Sequence, residues 1–418
     1  MRILITGVCG FVGSEIARGL LASLEGATIW GIDNFSRAGS RLNEAPLLAL
    51  GVRLIEGDIR NSEDLAKVPS VDWVLDAAAN PSVMAGVQGA TSSYELLDHN
   101  LIGSIRLLEF CKQHGAGFLL LSTSRVYSIP PLAALPVEVH NKAYRPVFDD
   151  SPSFQVELPV RCSASVAAGF KLDGTCLPAS GAALGSATES QSSAPVPTGL
   201  VHPSGISPQQ STLDPRPALS PLGLTEQFST EPPLSLYGTS KRASEMLALE
   251  YGAAFGFPVW INRCGVMAGA GQFGKADQGI FSFWIHRWAR GLPLRYIGFG
   301  GKGHQVRDCL HPRDLIGLLV RQMESPSAAA PRTINLSGGL QSAMSLAGLS
   351  AWCGERLGAH LVDSDETPRP FDLPWVVLDS TRALEAWGWK PETSVDSILE
   401  EITRNALAHP HWLEITGG

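Results

Sequence analysis

The first 125 residues repeat one pattern of hydrophobic and polar positions. A short apolar run with strand character is followed by a polar or glycine turn, and then by a longer segment with helical spacing. Because only parallel strands need connections of that length, the pattern predicts βαβ units and a parallel sheet. The predicted strands are residues 2–6, 28–32, 52–56, 73–77 and 117–121, and the predicted helices are residues 12–24, 62–66 and 101–114.

The middle of the chain interrupts this pattern. Residues 163–222 are rich in Ser, Ala, Pro and Gly and contain few large apolar side chains, so they predict a mobile loop within a longer insertion at about 131–232. The insertion is either a tolerated surface segment or a lid over the active site. Helical spacing resumes at residues 237–255, and a strand is predicted at 259–262.

The last third of the chain mixes short strands and helices without an internal repeat. The predicted strands are residues 294–298 and 333–336, and the predicted helices are residues 279–290, 312–323 and 394–408. We therefore expect an α/β protein in which residues 1–262 form a doubly wound parallel sheet of the Rossmann type, and residues 263–418 form a smaller mixed α/β lobe.

Composition and charge exclude several classes of protein. The chain has 418 residues, of which 44% are hydrophobic and 17% charged, so disorder throughout is excluded. The net charge of −8 gives no positive field for nucleic acid. The seven cysteines form no C-x-x-C pair, which argues against disulfides and zinc and favours the cytoplasm. We expect neither a bound metal nor a membrane partner, since no His pair has metal-ligand spacing and no long apolar run occurs.

A glycine-rich loop lies between the first predicted strand and the first predicted helix. It reads Gly7-Val8-Cys9-Gly10-Phe11-Val12-Gly13, a G-x-x-G-x-x-G pattern that lets the backbone approach a pyrophosphate at a helix N-terminus. Asp33, twenty residues after Gly13, ends the second strand, where a carboxylate accepts ribose hydroxyls and repels a 2′-phosphate. The loop therefore predicts NAD rather than NADP. Arg37 either weakens that preference, pairs with Asp33 or faces water.

Three further residues have the chemistry of a proton-transfer site. Tyr237 and Lys241 form a Y-x-x-x-K pair, one turn apart on the predicted helix 237–255. A free tyrosine has a pKa of about 10, which a nearby lysine and a positive nicotinamide lower. The strand 117–121 leads into Ser122 and Thr123, at the carboxyl edge where open α/β sheets bind ligands. We expect Thr123 to hydrogen-bond the reacting oxygen and to relay a proton to Tyr237.

These motifs resemble the extended short-chain dehydrogenase/reductase family, the nucleotide-sugar epimerases and dehydratases. The resemblance covers the chain outside the insertion, although 114 residues separate Thr123 from Tyr237. It implies NAD held tightly by the Rossmann domain and a nucleoside-diphosphate sugar held as substrate by the lobe 263–418. It also implies a homodimer built on helices 101–114 and 237–255, and catalysis by Thr123, Tyr237 and Lys241. The strand ends and the resemblance together assign cofactor contacts to Gly7, Gly10, Phe11, Val12, Gly13, Asp33, Asn34, Ser36, Arg37, Asp58, Ile59, Ala77, Ala78, Ala79, Asn100, Ser122, Tyr237 and Lys241.

The residues after Thr123 indicate the reaction type. Sugar dehydratases of this family carry Asp-Glu there, whereas this chain carries Ser124-Arg125, so simple oxidation with return of the hydride is the expected chemistry. Motifs including Gln278-Gly279 and the run 303–308 resemble the CDP-paratose 2-epimerase branch. Asn80 and Ser82 follow the fourth strand, beside the expected sugar position, and are candidate substrate contacts for that reason. The other predicted substrate contacts are Thr123, Ser124, Arg125, Gln272, Gln278 and Arg307, with Arg307 implied at the diphosphate by the resemblance.

Two alternatives remain open from the sequence. One is a 4-epimerase of the UDP-glucose/galactose type, because the residues do not show which sugar carbon is inverted. The other is a non-catalytic NAD-binding scaffold or redox sensor, in which the insertion docks a partner. Retention of Thr123, Tyr237 and Lys241 together argues against the second alternative.

Overall fold

Seven parallel strands form the central sheet of the protein. A computed structural model describes residues 1–88, 91–148, 217–275, 278–327 and 329–417. The strands are β1 Arg2–Thr6, β2 Thr28–Asp33, β3 Arg53–Glu56, β4 Trp73–Asp76, β5 Gly117–Thr123, β6 Val137–His140, β7 Ala143–Pro146, β8 Leu219–Ser220, β9 Gly223–Leu224, β10 Val259–Cys264, β11 Val266–Met267, β12 Leu294–Ile297, β13 Val306–Leu310, β14 Thr333–Leu336, β15 Ala343–Ser345, β16 Val362–Asp365 and β17 Trp375–Val376. The central sheet has the order β14-β10-β5-β4-β1-β2-β3.

Helices cover the sheet and build the C-terminal part. They are α1 Phe11–Ser23, α2 Glu44–Ala49, α3 Ser62–Leu65, α4 Ser93–Leu97, α5 Gly103–His114, α6 Ile129–Ala133, α7 Leu236–Phe255, α8 Ile280–Ala289, α9 Ile316–Glu324, α10 Leu346–Leu357, α11 Thr381–Trp387, α12 Val395–Ala408 and α13 Trp412–Ile415. One turn of π-helix, Asp98–Ile102, leads into α5. No helix among the described residues is long and apolar enough to cross a membrane.

The apolar strands form because both of their faces are covered. All positions of β4 and β10 are buried, as expected of parallel strands packed between helices. In the order 3-2-1-4-5, the direction in which successive strands are added changes between β1 and β4. Rossmann folds bind their ligands at this point, beyond the carboxyl ends of the strands. The predicted doubly wound parallel sheet is therefore confirmed. A second, smaller sheet joins β11, β13, β15 and β17 in the C-terminal part.

The structure differs from the sequence expectation at the end of the sheet. Strand β14, which a boundary at residue 263 assigns to the second lobe, pairs with β10 and extends the central sheet. Helix α9, just before it, packs with α1 in the same hydrophobic core. The part of the chain that the structure describes clusters as one compact unit. The division into two domains at residue 262 stays a prediction.

The predicted insertion is folded at both of its ends. Residues 137–146 form the antiparallel hairpin β6-β7, and residues 219–224 form the hairpin β8-β9. The expectation that the mobile loop extends to residue 222 is therefore wrong for its last residues, because Leu219 and Leu224 are buried against the C-terminal part. Residues 149–216, which include Cys162 and Cys176, lie outside the described residues. The expectation that this segment is a lid falls on the same residues. The five described cysteines are free and buried.

We predict that the helices α5 and α7 form a homodimer contact. Apolar side chains are exposed at Met246 and Phe255 of α7, which are 57% and 48% accessible, and at Ile102 of the π-helical turn just before α5, which is 40% accessible. Met246→Glu should shift sedimentation velocity toward the monomer, because a buried unpaired carboxylate opposes association. Leu361→Glu, at an apolar residue that is 91% exposed and far along the chain, is the matched control and should change nothing. A wild-type protein that sediments as a monomer at all concentrations contradicts the homodimer.

Candidate active site

One cavity of about 1170 Å³ opens at the carboxyl ends of the central strands. It contains the glycine loop, the ends of β2, β4 and β5, the start of α7 and several segments of the C-terminal part. Of the residues predicted as site residues from the sequence, all except Asn100 line it. These residues come from segments up to about 300 positions apart, so their convergence is a product of the fold.

The glycine loop leaves room for a ligand at the start of α1. Gly7 has a φ of +59°, which favours glycine. A Cβ on Gly13 would lie 2.3 Å from the Gly7 carbonyl oxygen, so a side chain there would push the loop apart. Helix α1 starts without a side-chain cap, and its first residues line the cavity, so its uncapped N-terminus lies at the cavity wall. This is the geometry that a pyrophosphate needs.

Asp33 lies at the end of β2 beside this loop. Its two carboxylate oxygens accept hydrogen bonds from the backbone N–H groups of Cys9 and Phe35, both at 2.9 Å. Burial raises the pKa of this carboxyl, and the two N–H groups act against that rise. Arg37 donates to Gln278 Oε1 and to the Phe273 carbonyl, each at 2.9 Å. The guanidinium therefore bridges to the C-terminal part, an arrangement that the three alternatives from the sequence did not include.

A second polar group surrounds Asp58 after β3. Asn34 donates to Asp58 at 2.9 Å, and the Arg60 guanidinium forms an ion pair with it at 2.8 Å. These donors hold the pKa of Asp58 well below its usual range. The carboxylate is thus ionised at the edge of the cavity, where Ile59 also lies.

Asn100 lies behind the wall of the cavity. Its Oδ1 accepts the Asn80 N–H at 2.8 Å, and its amide donates to the Asn80 carbonyl at 3.1 Å and to Ser240 at 3.2 Å. The side chain is buried, so it fixes the loop after β4 against helix α7 rather than lining the ligand space. The assignment of Asn100 to cofactor contact therefore becomes a supporting role.

Thr123, Tyr237 and Lys241 all line the cavity, and the Thr123 and Tyr237 hydroxyls share a hydrogen bond. Tyr237 is 7% exposed and Lys241 is 2% exposed. Burial raises the pKa of Tyr237, whereas its hydrogen bond with Thr123 and the positive charge of Arg125 lower it. Burial lowers the pKa of Lys241, and the carboxylates of Asp76 and Glu245 raise it. Among the described residues, no group accepts a hydrogen bond from the Lys241 ammonium.

Glu245 is a residue that the sequence reasoning missed. It lies two turns after Tyr237 on the same face of α7 and is fully buried. Its carboxylate pairs with Arg263 of β10 at 2.7 Å and accepts a hydrogen bond from Ser122 of β5 at 2.6 Å. Ser122, predicted as a cofactor contact, therefore donates its hydroxyl to helix α7. The spacing Tyr237, Lys241, Glu245 is the signal that could have identified this residue.

Three arginines gather at the other end of the cavity, where the C-terminal part lies. Arg307 pairs with Asp372 at 3.0 Å, and Arg125 donates to the Phe371 carbonyl at 3.1 Å. Arg369 lines the same space and makes no ion pair with any described residue. Sequence reasoning missed Arg369, because nothing local distinguishes it. Three guanidinium groups around one carboxylate suit an anionic ligand.

A family model confirms the resemblance that the motifs suggested. The model of the NAD dependent epimerase/dehydratase family matches residues 3–146 and 214–337, more than half of the chain. The chain belongs to this family. The description of this family includes dependence on NAD, the cofactor that the glycine loop and Asp33 predicted. The expected cofactor is therefore confirmed.

Curated and solved relatives of this epimerase/dehydratase chain span nearly its whole length. CDP-paratose 2-epimerase of Salmonella typhi is 23% identical over 411 residues, covering 96% of this chain and 98% of that protein. UDP-glucose 4-epimerase of Corynebacterium glutamicum is 23% identical over 414 residues, covering 96% and 94%. The crystal structure of UDP-glucuronic acid 4-epimerase from Bacillus cereus, with UDP-glucuronic acid and NAD, has a TM-score of 0.67 at 20% identity and covers 98% of this chain and 99% of that one.

The residues of this epimerase/dehydratase chain fit NAD. The glycine loop offers backbone N–H groups to a pyrophosphate, and Asp33 offers a carboxylate to the ribose hydroxyls. The ammonium of Lys241, for which the described residues provide no acceptor, is available for the second ribose. The cavity wall after β4 consists of small side chains, those of Ala77, Ala78 and Ala79, and the backbone of Ala78 lies close to Gly7. No group of His, Cys, Asp and Glu within the described ranges could hold a metal ion.

We predict that the Glu245–Arg263 pair is essential to stability. Glu245→Gln should lower the free energy of unfolding by about 3 kcal/mol, because it leaves the buried Arg263 charge without its partner. Urea unfolding of the purified protein measures this change. Glu355→Gln removes an exposed carboxylate 3.6 Å from Arg356 and should leave stability essentially unchanged. Equal effects of the two substitutions would contradict the assigned role.

Proposed function

We propose that this chain is an NAD-dependent nucleotide-sugar epimerase that acts by transient oxidation of the sugar and return of the hydride. The observation that carries the proposal is the meeting of Thr123, Tyr237 and Lys241 in one cavity with the glycine loop. A proton acceptor, a hydroxyl relay and a free ammonium beside a dinucleotide site are the groups needed to oxidise an alcohol. The family match and the full-length relatives support the same reaction class.

In the proposed reaction, Tyr237, Thr123 and Lys241 each have a separate role. The Tyr237 phenolate takes the proton of the sugar hydroxyl while the hydrogen on the same carbon leaves as hydride. When bound, NAD accepts this hydride and later gives it back. Thr123 donates a hydrogen bond to the reacting oxygen, and Lys241 holds the ribose next to it. A keto sugar that reorients in the cavity would present its opposite face to the cofactor site, and Tyr237 would return the proton to the oxygen.

The positions after Thr123 favour epimerisation over elimination. Elimination of water needs an acid for the leaving hydroxyl and a base for the neighbouring carbon. Ser124, which is buried, and Arg125 occupy the two positions, and neither supplies a carboxylate. Transient oxidation needs only one base, which Tyr237 provides.

The substrate end of the cavity supports a nucleoside-diphosphate sugar. Arg307 and Arg369 supply guanidinium groups to a diphosphate. Gln272 and Gln305 also line the cavity, and each has a buried side-chain oxygen that accepts no hydrogen bond from any described residue. Each amide is oriented by its nitrogen, which donates to the carbonyl of Met267 or Ile297. A ligand with several hydroxyl or amino donors would satisfy both oxygens.

Within this class we propose a reaction similar to that of CDP-paratose 2-epimerase. The support is the full-length likeness to that enzyme and the motif around Gln278 and Arg307. The second candidate is inversion at C4 in the manner of UDP-glucose 4-epimerase, which the likeness to the Corynebacterium glutamicum enzyme favours. A non-catalytic NAD-binding scaffold is the function with the least support. Such a scaffold would not need Thr123, Tyr237 and Lys241 together in one cavity.

The reaction is tested with a panel of CDP-, UDP-, GDP- and dTDP-sugars in deuterated water, followed by NMR. We expect one sugar centre of one substrate to invert without incorporation of deuterium, since the hydride returns to the carbon it left. The carbon that inverts distinguishes the 2-epimerase from the 4-epimerase. Deuterium on the carbon beside the transient carbonyl would instead establish enolisation and end the proposed mechanism.

The role of the tyrosine gives a second prediction. Tyr237→Phe should lower kcat by about a thousandfold, because the proton acceptor is lost while the aromatic ring and its packing are kept. NAD content of the purified variant should stay that of the wild type. Tyr94→Phe, at a tyrosine that is 76% exposed, is the matched control and should keep full activity. Full turnover by Tyr237→Phe would remove it from the mechanism.

A further inference from the structure

The loop after β2 is fixed on its own side of the cavity. The Phe35 N–H donates to the Asp33 carboxylate at 2.9 Å, and the Ser36 N–H donates to the Asn34 side chain at 3.0 Å. Phe35 has a φ of +52°, so the chain turns sharply at this residue. These contacts fix the backbone from which the side chain of Arg37 extends.

The C-terminal part supplies a second wall to the same cavity. Gln272, Phe273 and Gln278 line it together with Arg37 and the glycine loop. The chain just before this wall approaches the start of α1, because a Cβ on Gly269 would lie 3.1 Å from Phe11 Cζ. The start of α1 is the part of the cavity that fits a pyrophosphate, so the wall stands beside the cofactor half of the cavity.

Arg37 joins the loop after β2 to this wall. Its Nη1 donates to Gln278 Oε1 and its Nη2 donates to the Phe273 carbonyl, each at 2.9 Å. The two acceptors lie 241 and 236 positions further along the chain. A guanidinium suits such a bridge, because its planar fork offers several N–H donors in fixed directions. Gln278, which the sequence assigned to the substrate, presents its side-chain oxygen to Arg37.

Helix α13 braces the wall that Arg37 reaches. The Trp412 indole N–H donates to the Gln272 carbonyl at 2.9 Å, and the Trp412 ring lies 6.1 Å from that of the buried Phe273. Thr416, which is fully buried after α13, packs on Gly39 of the loop after β2, where a Cβ would lie 2.6 Å from its methyl group. The acceptors of the bridge therefore stand on a fixed support.

We propose that Arg37 is a latch that closes the loop after β2 onto the C-terminal wall and so sets the rate at which NAD enters and leaves the cavity. Its hydrogen bonds with Gln278 and Phe273 are made to protein acceptors on the opposite wall, so they hold the walls together. The proposed reaction restores NAD in every turnover, so a site that stays closed between the two hydride transfers suits it. That benefit rests on the proposed function, whereas the latch concerns the cofactor alone.

A latch and a cofactor ligand have different kinetic signatures. Loss of a latch speeds both entry and exit, because both require the open cavity, so the dissociation constant changes much less than the dissociation rate. Loss of a ligand contact speeds exit alone, so the rate and the constant rise together. The two roles of Arg37 are therefore distinguished by measuring both quantities.

The test follows exchange of bound NAD for isotopically labelled NAD in the full-length holoprotein, and equilibrium dialysis gives Kd. We expect Arg37→Gln to speed exchange by about tenfold, because two charge-assisted hydrogen bonds are lost, with a much smaller change in Kd. Arg37→Lys should be intermediate, since one ammonium cannot reproduce the fork. Arg41→Gln is the matched control and should exchange as the wild type does, because Arg41 follows the same loop but pairs with Glu44 and Glu56.

A second variant tests the other end of the bridge. Gln278→Leu removes the side-chain oxygen that accepts from Arg37 and keeps a side chain of similar size, so it should also speed exchange. Arg37→Gln should then add less in the Gln278→Leu background than in the wild type, since the two residues share one contact. Gln278→Leu also decides the question if Arg37→Gln does not fold.

Two results would overturn the proposal. One is exchange at the wild-type rate in both Arg37→Gln and Gln278→Leu. The other is a Kd that rises in parallel with the dissociation rate in Arg37→Gln, which makes Arg37 a ligand of the cofactor. The measurement needs no sugar, so it decides the role of Arg37 whether or not a nucleotide sugar is epimerised. Absence of epimerisation together with the expected exchange rates would contradict the proposed function and leave the latch standing.

Discussion

The buried ion pair between Glu245 and Arg263 determines where helix α7 lies on the sheet. The pair joins α7 to β10, and the Ser122 hydroxyl joins it to β5. A rotation of α7 that separated the two charges would leave both buried without a partner, which is strongly unfavourable. Tyr237 and Lys241 share a face with Glu245 and therefore point at the strand ends. The stability of the core and the geometry of proton transfer thus depend on one contact.

A second set of contacts fixes the cofactor side independently of α7. Thr6 at the end of β1 donates to Asp76 of β4 at 2.8 Å and accepts the N–H groups of Ala77 and Ala78. Ser104 of α5 donates to the other oxygen of Asp76, also at 2.8 Å. The passage beside the glycine loop is consequently held by backbone and buried hydroxyl groups. Such a site keeps its shape through repeated turnovers because none of these groups has to move.

The sequence was sufficient to predict those features of the fold and the site that depend on residues close together in the chain. The glycine loop, Asp33 and the five predicted strands of the first half are local patterns, and the structure bears out these strands within two residues at each end. Helix α4 was missed although Ser92 and Glu95 form a capping box that the sequence displays. The position of β14 beside β10, the bridge from Arg37 to Gln278 and the placement of Arg369 were not predictable. Each depends on which distant segments meet, and no local periodicity encodes that.

The carbon at which the sugar is inverted depends on distance along the ligand rather than on the catalytic residues. In the proposed reaction, Tyr237 and the glycine loop determine where a proton and a hydride leave. If the arginines hold the diphosphate as proposed, the sugar has to reach from them to Tyr237. A cavity of about 1170 Å³ exceeds the usual range for one small ligand, so it has room for cofactor and substrate together. On this proposal, other residues that line the cavity, Asn80, Ser82 and Gln272 among them, would select which hydroxyl meets Tyr237.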